Sequence, residues 1–216
     1  MKFSSIVQPM RSTSTPTLLD PIQELLEARY QGRDLKSFRR GQVIPLYEQD
    51  IWLVYRGVVQ LSTLYPSGDE AILGLISPLM PFGEPLSLMQ PYSAVALSDV
   101  DLMRLNWQDV LQSPEMMQCM FGQMKRRLQQ SESLLAIASY RRVEDRLVEF
   151  LALLKREISS PITLNGKSLN RITIRLTHQH FANAIGTTRV TITRLLGQLR
   201  DRGILDFDDT RHIILP

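Results

Sequence analysis

Between residues 51 and 105 apolar positions fall in short runs separated by glycine and proline turns at intervals of roughly ten residues. Ile51–Tyr55 and Val58–Leu61 flank Arg56-Gly57, Ala71–Ile76 follows Pro66-Ser67-Gly68, and Tyr92–Leu97 and Leu102–Leu105 are two further runs. The pattern predicts a small antiparallel barrel or sandwich. A short helix is expected before it, near Leu18–Tyr30, and a brief one after it, over Asn106–Gln112. Residues 1–17, rich in Ser, Thr and Pro, read as a flexible tail.

From residue 113 the period changes. Ser113-Pro114-Glu115 is a helix start: a capping serine, proline at the first helical position and an acid at the positive dipole end. Met117, Phe121, Met124, Leu128, Ser131, Leu135 and Ala138 then step alternately by four and three, a heptad seam. Lys125, Arg126, Arg127, Gln129 and Gln130 surround it, and a narrow apolar stripe on a polar helix suits a coiled coil with a second copy. A homodimer is therefore expected, with Tyr140-Arg141-Arg142 as a hinge beyond the helix.

The last third alternates helix and strand. Arg142–Glu157 is amphipathic, with Leu147, Phe150, Leu151 and Leu154 inward. Ile162–Leu164 and Arg171–Leu176 bracket Asn165-Gly166, and Ile204–Asp206 and His212–Leu215 bracket a second turn, so two hairpins are expected. Between them, Leu176–Leu205 predicts two short helices around a tight turn. Ala182 permits a close crossing and Gly186 the positive φ that the turn needs. In the second helix Ile192, Leu195, Leu196 and Leu199 form the buried stripe, capped by Thr187 or Thr188 and stopped by Gly203. Val190, Thr193, Arg194 and Gly197, with Arg189 at the edge, form the opposite face. This is a winged helix-turn-helix pattern, whose second helix enters the DNA major groove.

Charge sharpens the reading. Residues 1–138 carry 12 Lys and Arg against 14 Asp and Glu, and residues 139–216 carry 13 against 8, so the net +3 of the chain arises in the segment that would meet phosphates. The single cysteine, Cys119, excludes an internal disulfide and a thiolate cluster. No signal peptide or transmembrane run is present, which points to a cytoplasmic protein with no membrane partner. No Ser/His/Asp set, paired metal ligands or phosphate loop is present, so neither an enzyme nor a metal site is expected. Asp69-Glu70 is expected on a solvated hairpin tip. Phe82-Gly83-Glu84-Pro85-Leu86-Ser87 reads either as a plain turn or as a loop whose amides and carboxylate face a ligand. The rival to DNA binding is a ligand-binding module whose winged helix contacts protein or RNA.

Barrel, long helix and winged helix-turn-helix together resemble the bacterial CRP/FNR family of transcription regulators, over roughly residues 18–216. The resemblance implies an α+β fold. A tail over 1–17 precedes an antiparallel β-roll sensor, like a cyclic-nucleotide-binding domain, over 18–112. A dimerisation helix and hinge follow over 113–140, and a winged helix-turn-helix over 141–216. Within the family, Thr177–Arg200 looks most like the cyanobacterial global nitrogen regulators, and Arg189-Val190-Thr191-Ile192-Thr193-Arg194-Leu195-Leu196-Gly197 carries that similarity. It implies double-stranded DNA and RNA polymerase as partners. It implies base reading by Arg189 and Arg194, with Val190 and Thr193 on the same face, and phosphate contacts from Gln179, Thr188 and Thr191, with His178 beside them. The operator would be a palindrome with GTA-like half-sites.

The resemblance also locates a sensor site. Cyclic-AMP-binding members follow Gly-Glu with Arg-Ser. Gly83 and Glu84 are present here, but the later pair is Tyr92-Ser93, so an anionic phosphate lacks its bidentate partner. The cysteine cluster of oxygen-sensing members is absent. So is a sensor histidine for haem, since His178, His180 and His212 all lie in the DNA-binding half. Members that bind 2-oxoglutarate use arginines from barrel and long helix; Arg127 matches the second, and Gln90 stands at the first. Gly83, Glu84, Tyr92 and Arg127 are the candidate effector pocket, and cyclic AMP, haem and iron–sulfur are not expected in it.

Overall fold

The computed structural model describes residues 35–164 and 166–216; the expected tail and the helix near Leu18–Tyr30 lie outside them. Seven strands, β1 (Lys36–Phe38), β2 (Asp50–Arg56), β3 (Val59–Leu64), β4 (Glu70–Ile76), β5 (Pro81–Phe82), β6 (Ser93–Ala96) and β7 (Val100–Asn106), form two antiparallel sheets in the orders β1-β7-β2-β5 and β4-β3-β6. All five runs read from the sequence become strands. β1 and β5 have three and two residues, too few to show a period; β5 is defined by the register Trp52↔Phe82 and Leu53↔Pro81. The sheets close on Trp52, Val54, Leu61, Phe82, Val100 and Leu102, all buried. The Trp52 indole N–H donates to the Pro45 carbonyl at 2.8 Å, so this large side chain is buried with its one donor satisfied.

Five helices follow: α1 (Trp107–Leu111), α2 (Pro114–Ser139), α3 (Val143–Ile158), α4 (His178–Ile185) and α5 (Arg189–Asp201). The Ser113 hydroxyl accepts from the Met116 amide at 3.4 Å and caps α2 as its sequence indicates. β8 (Ser159–Leu164) and β9 (Lys167–Ile172) pair with β11 (Ile213–Leu215) and β10 (Asp206–Phe207) in one antiparallel sheet, β10-β11-β9-β8. The first hairpin differs from expectation at its second strand, which starts at Lys167 and ends at Ile172 instead of spanning Arg171–Leu176. Pairing begins at the turn, Leu164↔Lys167, and closes with Ser159↔Ile172 at the end of α3. The polar start Lys167-Ser168 hides it from a hydrophobic pattern.

The second core is built by α3, α4 and α5. Phe150 and Phe181 meet edge to face at 5.8 Å, within a cluster that includes Leu147, Ile192 and Leu196. Val58, Leu75 and Leu97 of the roll join the same cluster. The helix-turn-helix is therefore seated on its own roll by apolar burial, not merely tethered to it. No helix among the described residues is long and apolar enough to cross a membrane.

Candidate nucleic-acid interface and sensor cavities

The two-helix motif is fixed by local chemistry at each end. The Thr177 hydroxyl accepts from the His180 amide at 3.2 Å, and His180 Nδ1 accepts from the Thr177 amide at 3.1 Å, a reciprocal cap on α4. Gly186, at φ 63° and ψ 60°, ends α4 in the left-handed region. Thr188, two residues on, caps α5 by accepting from the Thr191 amide at 3.2 Å. Ile192, Leu195, Leu196 and Leu199 are buried as the stripe requires.

That burial turns Arg189, Val190, Thr193 and Arg194 outward together. Val190 is 78% exposed. A lone exposed valine is ordinary; this one stands between two exposed arginines on one face of α5. Thr193 donates its hydroxyl hydrogen to the Arg189 carbonyl at 2.9 Å and stands 2.7 Å from His178 Nδ1. Its single hydrogen is thereby used, so His178 donates from Nδ1. Burial, and then the Arg189 charge, push the His178 pKa below its ordinary value. Thr188 and Thr191 lie side by side, hydroxyls 3.0 Å apart, at the α5 N-terminus, a favourable position for a phosphate. His178, Gln179 and Arg189 border one open cleft of about 910 Å3 with Leu176, Phe181, Leu196 and Phe207 in its walls.

One acidic position behaves differently from expectation, and a second is held inward in the wing. Glu70 does not sit solvated at the hairpin tip. It is half-buried, accepting from Gln60 Nε2 at 3.0 Å and from Asn183 Nδ2 at 2.6 Å. Asn183 in turn accepts from Gln179 Nε2 at 2.6 Å, so a hydrogen-bonded chain runs from α4 to the middle of the roll. In the wing, Asp208 turns inward rather than presenting a charge. It accepts from Arg171 Nε at 2.6 Å, Thr210 Oγ1 at 2.8 Å and the His212 amide at 2.8 Å. Burial raises its pKa, but these donors outweigh that and hold the carboxyl well below the usual range.

Three of the four candidate effector residues line two adjoining cavities. Glu84 and Tyr92 line one of about 310 Å3; Arg127 lines another of about 540 Å3, which reaches Arg146 and Asn183. Tyr92 Oη and Arg127 Nη2 meet at 3.5 Å, and Arg127 Nη1 donates to the Pro81 carbonyl at 3.0 Å. A cyclic nucleotide does not fit the first cavity. Its phosphate would face Glu84 with no cationic side chain among the described lining residues, the Arg127 fork being turned to Pro81 and Tyr92. Gly83 has a packing reason of its own: at φ 151°, a Cβ there would lie 2.9 Å from the Asp50 carbonyl. Among the described residues no group of three His, Cys, Asp or Glu could hold a metal.

All seven seam positions of α2 are exposed, Phe121 at 76% and Leu128 at 60%. One step around the helix lies a second row that sequence reading missed: Met116, Met120, Gln123, Arg127, Gln130, Leu134 and Ile137, all buried or half-buried against the chain itself. Three polar members conceal its period. Gln130, 1% exposed, donates from Nε2 to the Leu75 carbonyl at 2.9 Å and accepts from the Leu75 amide at 2.8 Å. Leu75 lies on β4, an edge strand, so one side-chain amide takes the place of a further strand.

Fold and site define a DNA-binding transcription regulator with a sensor-type roll, and the chain belongs to the CRP/FNR family. Residues 35–113 match the cyclic nucleotide-binding domain and residues 145–216 the Crp-like helix-turn-helix domain. The global nitrogen regulator of Synechococcus elongatus is 34% identical, over 79% of this chain and 81% of its own. The regulatory protein CysR of the same organism is also 34% identical, over 92% of this chain and 90% of its own. The fold is shared with a cyclic nucleotide-binding domain containing protein from Listeria monocytogenes. The TM-score is 0.75 at 15% identity, covering 91% of this chain and 96% of that one. It is shared too with a CRP/FNR family transcriptional regulator from Thermus thermophilus. There the TM-score is 0.66 at 24% identity, covering 85% and 93%.

Proposed function

We propose that this chain acts as a homodimer on a palindromic operator with GTA-like half-sites, one per recognition helix, and there recruits or blocks RNA polymerase in the cytoplasm. Its action is binding, not catalysis. The observation that carries the reading is the free face of α5: Arg189, Val190 and Arg194 project together while the opposite stripe is buried. A guanidinium fork matches O6 and N7 of guanine, and a valine, with no acceptor for a cytosine amine, favours a thymine methyl. Thr188, Thr191 and Gln179 supply phosphate contacts, which set register without reading sequence, and His178, whose Nδ1 hydrogen goes to Thr193, joins them only when Nε2 is protonated. Similarity to the nitrogen regulators points to the outer triplet, and two-fold symmetry places the halves about one helical turn apart.

Selection of binding sites from random duplex DNA is the test. A palindrome with an outer G·C pair is expected. Arg189→Ala should weaken binding by roughly 1–3 kcal/mol per half-site and relax the guanine preference, while Thr188→Ala should weaken all sequences alike. A consensus without that pair, or selection of RNA over duplex, overturns the reading.

A further inference from the structure

We propose that DNA binding by this chain takes up a proton at His178, which makes the operator affinity rise as pH falls. The inference rests on the DNA-binding reading above. His178 is the first residue of α4 and borders, with Arg189, the open cleft beside α5. A phosphodiester oxygen accepts hydrogen bonds and has no hydrogen to give. An imidazole therefore meets it only through an N–H, and most strongly when the ring is charged.

The hydrogen-bond chain behind the ring decides which nitrogen carries the hydrogen. Thr193 uses its one hydrogen on the Arg189 carbonyl at 2.9 Å, so its Oγ1 accepts from His178 Nδ1 at 2.7 Å. With Nδ1 protonated, the neutral ring presents a bare lone pair at Nε2, which a phosphate repels. Nε2 has no hydrogen-bond partner among the described residues, and it is not one of the buried side-chain atoms that lack one, so solvent reaches it. The other two histidines are built the opposite way. His180 Nδ1 accepts from the Thr177 amide at 3.1 Å, and His212 Nδ1 faces Arg171 Nη2 at 2.7 Å, so each neutral ring carries its hydrogen on Nε2. A second proton on either must displace a donor. On His178 it enters at a nitrogen with no bond to lose.

The charges around the ring supply the second condition. Those that border its cleft are Arg189 and Arg200 of α5, Arg175 on the approach to α4, Arg40 of the roll and Arg211 of the wing, with no carboxylate among the described lining residues. Glu70, the acid that the roll brings to α4, meets it on the following turn and is taken by Gln60 and Asn183. Burial, and then the Arg189 charge, hold the His178 pKa below its ordinary value in the free chain. A DNA phosphate is the first anion brought to the ring, and an opposite charge favours the protonated form. The pKa is thus depressed in the free chain and raised in the complex. Between those two values the complex holds a proton that the free chain does not, so lowering the pH draws the equilibrium towards the complex.

The experiment titrates the full chain with its selected operator from about pH 8 to about pH 6 at constant ionic strength, below the melting temperature measured at each pH. Affinity per half-site should rise roughly tenfold, the yield of a pKa shift of about one unit. Calorimetry in buffers of different ionisation heat should show net proton uptake on binding. His178→Gln, which takes no proton, should give a flat profile and no uptake. His178→Arg, charged throughout, should also be flat, and tighter than the parent at the alkaline end. Thr188→Ala should weaken binding by the same factor at every pH and keep the slope. A flat parent profile, proton release, a slope that survives His178→Gln, or a His178→Arg chain no tighter than the parent at the alkaline end would each overturn the proposal. Arg189→Ala tests the other reading: an unchanged base preference there sinks the recognition assignment, whatever the pH profile.

Discussion

The three histidines of this chain all stand on the DNA-binding unit, and each is held neutral. Burial, first, and then a neighbouring arginine lower their pKa values: Arg189 beside His178, Arg40 beside His180 and Arg171 beside His212. Two make bonds that need a bare nitrogen. His180 Nδ1 accepts from the Thr177 amide, and His212 Nδ1 stands 2.7 Å from Arg171 Nη2, which can only donate. Since folding depresses these pKa values, the unfolded chain takes up protons first as pH falls below 6.5. Stability is therefore full above that pH and declines beneath it. Melting temperature should fall from there towards about pH 5, and His212→Gln should flatten part of that slope. Asp208 and Glu144, also depressed, lose their stabilising charge only further into acid, so their contribution is separable. A melting temperature level across the histidine range contradicts the assignment. At this scale the exposed face of α5 was legible because a helical period needs only spacing. Glu70 was not, because its partners Gln60 and Asn183 are brought to it by the fold.

Among the elements, α2 carries two rows of side chains, one exposed and one packed on its own chain. The outer row was readable because its members are nearly all apolar. The inner row was not, because Gln123, Arg127 and Gln130 interrupt it, and two of these are polar for a reason that lies on another element. Gln130 answers the open edge of β4, and Arg127 the Pro81 carbonyl. Arg126 extends the same logic to α3, its Nε 3.1 Å from Glu157 Oε2. Gly74 leaves room for the Gln130 amide, since a Cβ there would stand 3.2 Å from Oε1. Gln130→Leu keeps the apolar contacts of the row but withdraws the partner of a buried amide and a buried carbonyl. The expected cost is roughly 1–3 kcal/mol for each group. It should appear as a lower midpoint in urea with little change in slope. A Gln130→Leu chain as stable as the parent would show that water or the neighbouring strand takes over the Leu75 groups.

For the whole molecule, the reading of a palindrome requires two copies of α5 related by a two-fold axis, and one chain presents one. The outer row of α2 is the surface that can supply the axis. It is apolar at Met117, Phe121, Met124, Leu128 and Leu135, exposed at each of these, and backed by a row that anchors the helix to its own roll. Anchoring lies on one face and the proposed association on the other, which makes them separable by substitution. Leu128 is 60% exposed within the chain, so Leu128→Asp removes little from the fold itself. In a two-fold coiled coil it sets two unpaired carboxylates against each other in a desolvated seam, a cost on the order of several kcal/mol. The expected product is a monomer by sedimentation whose melting curve still reports intact roll and winged helix, and which loses the operator because one half-site alone is held weakly. Gln130→Leu should do the reverse, lowering stability while the chains remain paired at concentrations where they fold. If Leu128→Asp stays dimeric, the axis lies elsewhere and the outer row must be given another partner.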